Sequence, residues 1–318
     1  MTTLAAIETA AARMAGHIRQ TPLLNAPLLD RIAGRRVLVK AEALQITGSF
    51  KARGGWSAVS ALPPGAGVLA MSSGNHAQGV AWAAAAHGVA AVILMPSDAP
   101  AVKIANTRAY GAEVVLYDRA TTDRDALATR LSAERGLVLV PPFDHPDVIA
   151  GQGTVGLELA AQLAEAGVSR ADVLVPCGGG GLSTGIAVAL AAMAPDLRAR
   201  TVEPAGFDDM ARSLAAGRSL RNAATTGSVC DAILTPEPGR LTLPVLQRLA
   251  GPGLVVSDDQ AMEAVALAFG HLRVVAEPGG AVALAAALFA PDLGDTVVCV
   301  LSGGNVDPRL FTRALANA

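Results

Sequence analysis

The chain has 318 residues, of which 52% are hydrophobic and 33 are glycine, and its formal net charge is −2. This length is sufficient for a sizeable core and two subdomains, and the composition argues against disorder. Because charges of both signs are interspersed, no basic stripe or polybasic segment indicates nucleic acid or a membrane as a partner, so we expect a small-molecule ligand.

Residues 1–20 predict an amphipathic helix and not a targeting segment. They are rich in alanine and carry Arg13, His17 and Arg19, without a basic start followed by an apolar core. The three cysteines are far apart, at Cys177, Cys230 and Cys299. This spacing disfavours a disulfide framework and a zinc site, so we expect reduced thiols and a cytoplasmic protein.

Short apolar runs alternate with longer alanine-rich and leucine-rich segments along the rest of the chain. The predicted strands are residues 37–41, 68–71, 90–95, 113–117, 137–140, 173–175, 198–203 and 296–301. The predicted helices include residues 75–87, 101–110, 124–135, 148–166, 182–194, 258–272 and 280–289. Nearly all the strands are continuously apolar, as expected when helices cover both faces of a sheet. The pattern predicts an α/β fold with largely parallel sheets flanked by helices.

Two proline-containing turns suggest a division into lobes. They span residues 63–67 and 141–146, and proline disfavours regular structure at both. Strand and helix segments alternate between them in four repeats, which is enough for a small four-stranded lobe. We therefore predict a small lobe at residues 65–142, inserted in a larger domain formed by residues 1–64 and 143–318.

The first motif is TGSFKARG at residues 47–54, which follows an apolar strand. An amine that attacks an aldehyde must be neutral, and partial desolvation beside an aromatic ring lowers the pKa of a lysine. Lys51 and Phe50 could supply this pair. The ordinary alternative is a solvated lysine at the start of a helix. The other motifs, taken together, favour the cofactor-binding interpretation over this alternative.

The second motif is SSGNH, which consists of Ser72, Ser73, Gly74, Asn75 and His76. A strand ends before it and a helix begins within it, so the free amides of the first helical turn can bind an anion such as a substrate carboxylate. Ordinary helix capping by Ser73 or Asn75 explains the motif equally well.

The third motif is a run of four glycines, Gly178, Gly179, Gly180 and Gly181, between an apolar strand and an apolar helix. Such a run can aim several backbone amides at a phosphate. The following sequence lacks the lysine of a nucleoside-triphosphate loop and only loosely resembles a dinucleotide fingerprint, with Glu203 about twenty residues further on. A glycine turn for close packing is an equal alternative.

The fourth motif is SGGN at residues 302–305, which follows the last predicted strand. Loops at the carboxyl ends of parallel strands meet at one edge of a sheet, where such folds bind ligands. We therefore expect Ser302 to lie near the other three motifs, although a simple turn before the final helix is also possible.

One amine, one hydroxyl-rich loop, one anion cradle and one terminal hydroxyl match what pyridoxal phosphate requires of a protein. In this order, the motifs resemble the fold-type II (tryptophan synthase beta-like) pyridoxal phosphate enzymes, specifically the threonine/serine dehydratase and serine racemase group. The likeness runs from TPL at residues 21–23 through IAGQGT at residues 149–154 to SGGN. It implies two lobes, each with a largely parallel sheet, and a homodimer.

The resemblance also implies how the cofactor is held. Lys51 would form an imine with it, Phe50 would pack on its ring, and Asn75 would bond its 3-hydroxyl. The phosphate would bind at Gly178, Gly179, Gly180 and Gly181, and Ser302 would contact the pyridine nitrogen. Glu277 matches a family residue near the ring, although a carboxylate that caps a helix is an equally fair interpretation.

The activity implied by the resemblance is elimination of water from a β-hydroxy amino acid such as serine, threonine or 3-hydroxyaspartate, which yields a 2-oxo acid and ammonia. Lys51 would remove the Cα proton, and a neutral hydroxyl at Ser302 favours prompt loss of the β-hydroxyl. The substrate would bind at Ser72, Ser73, Gly74, Asn75 and His76. Ser73 matches the residue that faces Cα from the opposite side, so a serine or aspartate racemase is the alternative.

An acidic loop, EPAGFDD at residues 203–209, raises the question of a metal. A loop can bring two carboxylates and a main-chain carbonyl around Mg²⁺, Ca²⁺ or Mn²⁺. The racemase-like relatives bind a divalent ion with this spacing, which here matches Glu203, the Phe207 carbonyl and Asp209. The alternative is an acidic loop in which Asp208 caps the following helix.

Three other interpretations stay open at this point. A nicotinamide-dependent oxidoreductase could use the glycine run, but it leaves Lys51 and Ser302 without a role. A regulatory or ligand-binding relative would keep the fold without the reaction. A β-replacement enzyme is also possible, although the residues before Lys51 favour elimination. A second substrate carboxylate would need an extra cation. The sequence contains candidates in Arg53, Arg108 and Arg135, but no motif distinguishes one of them.

Overall fold

The computed structural model describes residues 2–99, 101–118 and 120–316. Ten strands lie within these residues: β1 (Leu23–Leu24), β2 (Arg36–Lys40), β3 (Gly67–Met71), β4 (Ala91–Pro96), β5 (Glu113–Tyr117), β6 (Leu137–Leu139), β7 (Ala171–Pro176), β8 (Leu197–Pro204), β9 (Leu254–Val256) and β10 (Thr296–Val300). All eight predicted strands are present, with bounds shifted by up to two residues at either end. The two-residue β1 and the three-residue β9 escaped prediction because they are too short to show a hydrophobic period.

The α-helices of the same residues are α1 (Leu4–Met14), α2 (Pro27–Ala33), α3 (Lys51–Val59), α4 (Asn75–His87), α5 (Ala101–Ala109), α6 (Arg124–Arg135), α7 (Pro146–Glu165), α8 (Gly181–Met193), α9 (Asp209–Ala216), α10 (Leu243–Leu249), α11 (Asp258–Leu267), α12 (Pro278–Phe289) and α13 (Pro308–Ala316). The predicted helix at 258–272 is in fact α11 followed by a π-helical turn, Ala268–Leu272. None of these helices is long and apolar enough to cross a lipid bilayer.

Two sheets with helices packed around them form the molecule, which confirms the predicted α/β class. The larger sheet has the order β1-β2-β10-β7-β8-β9, and all its pairings are parallel except that of β1 with β2. Two apolar clusters that include residues of β2, β7 and β10 cover it. Helix α12 is buried along almost its whole length, which explains why its sequence is apolar all round.

The smaller sheet has the order β5-β4-β3-β6 and is parallel throughout. Its four strands come from one continuous part of the sequence, between Gly67 and Leu139. The division into a small lobe at residues 65–142 and a larger domain from residues 1–64 and 143–318 stays a prediction.

Helix α3 lies unusually close to two neighbouring helices. A Cβ atom at Gly151 of α7 would be 2.4 Å from the carbonyl oxygen of Arg53, and one at Gly79 of α4 would be 2.7 Å from that of Lys51. Backbone atoms cannot move away as a flexible side chain can, so only glycine fits at both positions. Lys51, the first residue of α3, is therefore fixed by helix contacts on two sides.

A buried ion network fixes the same helix from within. Arg53, only 1% exposed, binds the carboxylate of Glu42 at 2.8 Å and that of Glu158 at 2.6 Å. Lys40 of β2 donates to Glu158 as well. Breaking such a network at one partner leaves a buried charge without compensation. Arg53 is therefore committed to the packing of α3 and is not available to a ligand.

We predict that Gly151→Ala destabilises the protein by about 1–3 kcal/mol or more, because the added methyl group overpacks a site bounded by backbone. Gly270→Ala is the matched control, since a Cβ there has nothing within 4 Å. Chemical denaturation of both variants checks this prediction. Equal stability of the two variants would contradict the close approach of α3 and α7.

Candidate active site

All four sequence motifs contribute to one cavity of about 190 Å³. It lies beyond the carboxyl ends of β3, β7 and β10, from which three of the motif loops emerge. The motif residues that line it are Phe50, Lys51, Ser72, Ser73, Gly74, Asn75, His76, Gly178, Gly179, Gly180, Gly181 and Ser302. Their convergence confirms that the motif loops lie together, as the carboxyl-edge argument predicted for parallel strands.

Lys51 presents its amine to this cavity at the start of α3. Its Nζ donates a hydrogen bond to the carbonyl oxygen of Pro142 at 2.7 Å and lies 5.0 Å from the centroid of the Phe50 ring. Burial lowers the pKa of Lys51 to about 8, against an opposing effect of the Glu277 carboxylate. Roughly a tenth of the amine is therefore neutral at pH 7, far more than for a lysine in water, and this form suits nucleophilic attack or proton removal.

Asn75 is held at both ends of its amide. Its Nδ2 donates to Glu277 at 2.5 Å, and its Oδ1 accepts from Nδ2 of Asn305 at 2.7 Å. Burial raises the pKa of Glu277 to about 7, which the bond from Asn75 opposes. Glu277 precedes α12 but makes no side-chain capping bond, so the capping interpretation of this residue is wrong. The second N–H of the Asn75 amide has no partner in the described part of the chain, so it can donate to a ligand.

The first turn of α4 has no side-chain cap, although in the loop before it the amide of Ser72 donates to the carbonyl oxygen of Leu94 and that of Gly74 to the Ser72 hydroxyl. The residue that precedes the helix is Gly74. Capping by Ser73 or Asn75 is thus not observed, and the alternative of an anion site gains support. Burial, reinforced by Lys51, lowers the pKa of His76 to about 3. Its neutral ring contacts the carbonyl oxygen of Val140 through Nε2 at 2.8 Å, while Nδ1 is unpartnered among the described residues.

The glycine run also ends in an uncapped helix start. Gly180 has a φ of 89°, which a residue with a side chain rarely adopts, and α8 begins directly after it without a side-chain cap. The carbonyl oxygen of Gly179 accepts from the hydroxyl of Thr242 at 2.6 Å. The buried Ser183 hydroxyl in the first turn lies close enough to the Cys177 thiol to oppose the rise in its pKa, and it makes no other hydrogen bond among the described residues. Open amides and a buried hydroxyl together form a site that fits an anion.

Glu203, Phe207 and Asp209 lie outside the cavity, at the end of β8, in the turn that follows and at the start of α9 respectively. Glu203 accepts hydrogen bonds from the amides of Met210 and Ala211 at 2.9 and 2.7 Å. It thus caps α9, whereas Asp208 makes no capping bond, and the interpretation of Asp208 as the cap is wrong. Burial, reinforced by Asp209, raises the pKa of Glu203 well above its ordinary value.

Asp209 has room for a further partner. Its Oδ1 accepts from Asn222 at 2.6 Å, and its buried Oδ2 has no hydrogen-bond partner among the described residues. Burial raises the pKa of Asp209 to about 6. Within the same residues no group of three or more His, Cys, Asp or Glu side chains is arranged to hold a metal. A cation at this loop would therefore find the buried carboxylates of Glu203 and Asp209, and Oδ2 of Asp209 is the oxygen without a hydrogen-bond partner among the described residues.

Several residues of the cavity were not predicted. They are Lys103, Pro142, Phe143, Gln152, Pro176, Leu182, Asp231, Ala232, Ile233 and Thr235. Phe143 lies against the glycine run, since a Cβ at Gly179 would be 2.2 Å from its ring. One signal for Phe143 was present in the sequence, since an aromatic residue directly after two prolines in a polar turn needs a packing partner. Lys103 and Asp231 come from separate parts of the chain, and no local pattern marks either of them.

Comparison with known proteins agrees with this geometry. A family model described as "Pyridoxal-phosphate dependent enzyme" matches residues 14–303. The chain is 41% identical to an L-threo-3-hydroxyaspartate ammonia-lyase of Pseudomonas sp, with 96% of each chain covered. It is 38% identical to a serine racemase of Oryza sativa subsp. indica, over 97% of this chain and 92% of that one. Among solved structures, the threonine deaminase of T.th. superposes with a TM-score of 0.91, 48% identity and coverage of 96% and 99%.

We predict that Glu277→Gln lowers the pKa of Lys51 below about 8, because a neutral amide no longer stabilises the ammonium form. Acetic anhydride labels only neutral amines, so labelling of the Lys51 peptide against pH measures this pKa in protein freed of bound small molecules. The control is Glu113→Gln, whose carboxylate pairs with Arg135 at the surface. An unchanged or higher midpoint for Glu277→Gln would refute the charge coupling.

Proposed function

The chain belongs to the pyridoxal-phosphate dependent enzyme family, and we propose that it is an ammonia-lyase acting on β-hydroxy amino acids. The substrate class comprises serine, threonine and 3-hydroxyaspartate, and the products are a 2-oxo acid and ammonia. One observation carries the proposal: a lysine amine of lowered pKa faces a cavity that also contains an aromatic ring, two uncapped helix starts and a serine hydroxyl.

The residues of the cavity fit the cofactor. Lys51 would bind its aldehyde carbon, and Phe50 would pack against its ring. Its phosphate would meet the amides of Gly178, Gly179, Gly180 and Gly181 together with the buried Ser183 hydroxyl of the same helix start. When bound, the cofactor supplies an electron sink for the negative charge that develops at Cα.

Substrate binding would begin at the loop before α4. The amides of Ser73, Asn75 and His76 and the Ser73 hydroxyl would hold the α-carboxylate, with the positive end of the α4 dipole adding attraction. His76 stays neutral, so its free Nδ1 can accept a hydrogen bond but carries no charge to the site. The α-carboxylate fixed there would orient Cα toward the amine of Lys51.

Lys51 would act as the general base. A pKa of about 8 leaves the amine partly neutral at neutral pH, so that it can accept the Cα proton. Ser302, which lines the same cavity, would meet the pyridine nitrogen with a neutral hydroxyl. Such a partner does not hold the nitrogen protonated as a carboxylate would. This favours rapid departure of the β-hydroxyl over chemistry that requires a long-lived carbanion.

Racemisation of serine or aspartate on the same site is the second candidate. Ser73 lines the cavity with Lys51, and a hydroxyl on the opposite side of Cα could return a proton to that face. Relatives named serine racemase, such as that of rice, support this candidate. We rank it below elimination, and the homodimer and the cytoplasmic location stay predictions from the sequence.

We also propose a divalent cation, Mg²⁺ or another, between β8 and α9. Glu203, Asp209 and the Phe207 carbonyl would hold it, and the unpartnered Oδ2 of Asp209 fits a metal ligand. The ion would neutralise two carboxylates whose pKa values burial has raised. It would thus stabilise the protein rather than take part in the reaction.

Lys51→Ala should abolish 2-oxo acid release from L-serine, L-threonine and L-threo-3-hydroxyaspartate, because the base and the covalent attachment are lost together. It should also abolish the visible absorption band of the bound cofactor. Borohydride reduction followed by peptide mapping should label Lys51 in the unchanged protein and no other lysine. Retained turnover in the variant, or a label at Lys40 or Lys103, would falsify the assignment.

Mg²⁺ should raise the melting temperature of the unchanged protein, because an ion that binds only the folded state stabilises it and compensates the cost of burying charged carboxylates. Asp209→Asn should lose most of this increase, because the neutral amide is a poorer ligand. Asp172→Asn is a control, as this acidic residue pairs with Arg200 away from the loop. Thermal scans with added Mg²⁺ and with chelator compare the three proteins, and an Mg²⁺ response that survives Asp209→Asn argues against the site.

A further inference from the structure

Positive charge is scarce in the cavity. The chain contains three lysines, Lys40, Lys51 and Lys103, and the last two are the only lysine or arginine residues among the described residues that line it. Lys51 is committed to the cofactor by the proposed function, and His76 is neutral because burial lowers its pKa to about 3. A substrate with a second carboxylate would therefore find one cation, Lys103.

The arginines considered from the sequence lie elsewhere. Arg53 is buried in the ion network of α3, and Arg135 pairs with Glu113 at the surface. Arg108 is exposed on the same helix as Lys103, but it is not one of the cavity residues. The structure thus selects a lysine that no sequence pattern had indicated.

Lys103 already has a partner of the kind it would bind. Its Nζ donates to Oδ2 of Asp231 at 2.9 Å, and both side chains line the cavity. The side chain of Lys103 is 16% exposed, whereas that of Asp231 is 60% exposed. An ion pair with one well-solvated partner contributes little stability. A ligand carboxylate can therefore replace Asp231, which then returns to water.

The pKa of Glu277 indicates that Lys103 and Asp231 lie near the reacting amine of Lys51. Its pKa is raised to about 7 by burial, and Asp231, Lys103 and Lys51 all perturb it. Asp231 and Lys103 thus lie within electrostatic reach of the residue that holds Asn75. A carboxylate on Cβ of a substrate whose Cα faces the Lys51 amine would enter this same set of charges.

We propose that Lys103 is the specificity-determining residue for a second substrate carboxylate, and that Asp231 occupies its ammonium group until a dicarboxylic substrate displaces it. The inference rests on the proposed function and narrows its substrate class to 3-hydroxyaspartate in preference to serine. A hydroxymethyl side chain leaves the pair of Lys103 and Asp231 intact, whereas a carboxylate gains a charge-assisted hydrogen bond.

The test is the ratio of kcat/KM for L-threo-3-hydroxyaspartate to that for L-serine, measured on the holoenzyme. Lys103→Met should lower this ratio by about tenfold to a hundredfold, the loss expected for one hydrogen bond to a charged group. Lys103→Arg should keep most of it, because the positive charge is retained. Asp231→Asn should raise it, because the competing carboxylate is gone. Arg108→Met, the control on the same helix, should leave it unchanged.

A binding measurement separates this inference from the proposed function. L-Aspartate and L-alanine lack a β-hydroxyl, so their affinities can be read from the change in cofactor absorption without any elimination. Lys103→Met should weaken L-aspartate binding and not L-alanine binding. If the unchanged enzyme releases no 2-oxo acid from either hydroxy amino acid, the proposed function fails, while this titration still tests Lys103. Equal losses for both ligands, or an unchanged kcat/KM ratio, would overturn the role of Lys103.

Discussion

The desolvation of one amine is the constraint on which the site depends. Lys51 is chemically useful because burial lowers the pKa of its amine to about 8, and a lysine in water would stay protonated. The structure maintains that burial by fixing α3 from several directions. Gly79 and Gly151 allow backbone contacts that a methyl group would prevent. Arg53, two residues after Lys51 on α3, forms a buried ion pair with Glu42 from the turn before the helix. The network is therefore better understood as positioning Lys51 than as a source of stability, since buried ion pairs often contribute little of the latter.

The groups around that amine limit the negative charge of the cavity. Burial raises the pKa of Glu277 to about 7, so part of its population is protonated at neutral pH. Asn75 links this carboxyl group to Asn305, which in turn donates to the carbonyl oxygen of Thr47 before Lys51. One chain of hydrogen bonds thus connects three of the motif loops. A change at Glu277 alters both the charge near Lys51 and the position of the Asn75 amide, and only the labelling experiment isolates the first effect.

The sequence predicted the parts of the site that consist of short contiguous motifs. A strand that ends in small residues before a helix identifies a ligand loop, and parallel topology brings such loops to one edge. That reasoning was sufficient to place Lys51, Gly178–Gly181 and Ser302 around one cavity. It failed where the partner is distant in sequence: Lys103 meets Asp231 over 128 residues and Asn305 meets Asn75 over 230. It also misassigned the cap of α9, because Asp208 is adjacent to the helix whereas Glu203 reaches it only through the turn after β8.

The acidic loop packs against the glycine run through the start of α9. The proposed cation could therefore affect the cofactor site without touching it. Glu203 fixes the amide of Met210, and the methyl group of Met210 lies 2.7 Å from where a Cβ at Gly180 would be. The start of α9 therefore packs directly under the loop that would hold the phosphate. Without a counter-ion, burial raises the pKa of both Glu203 and Asp209 and so disfavours their charged forms at this contact. A cation that draws them together would tighten α9 against Gly180, so the geometry of the anion site and the occupancy of the cation site are expected to vary together.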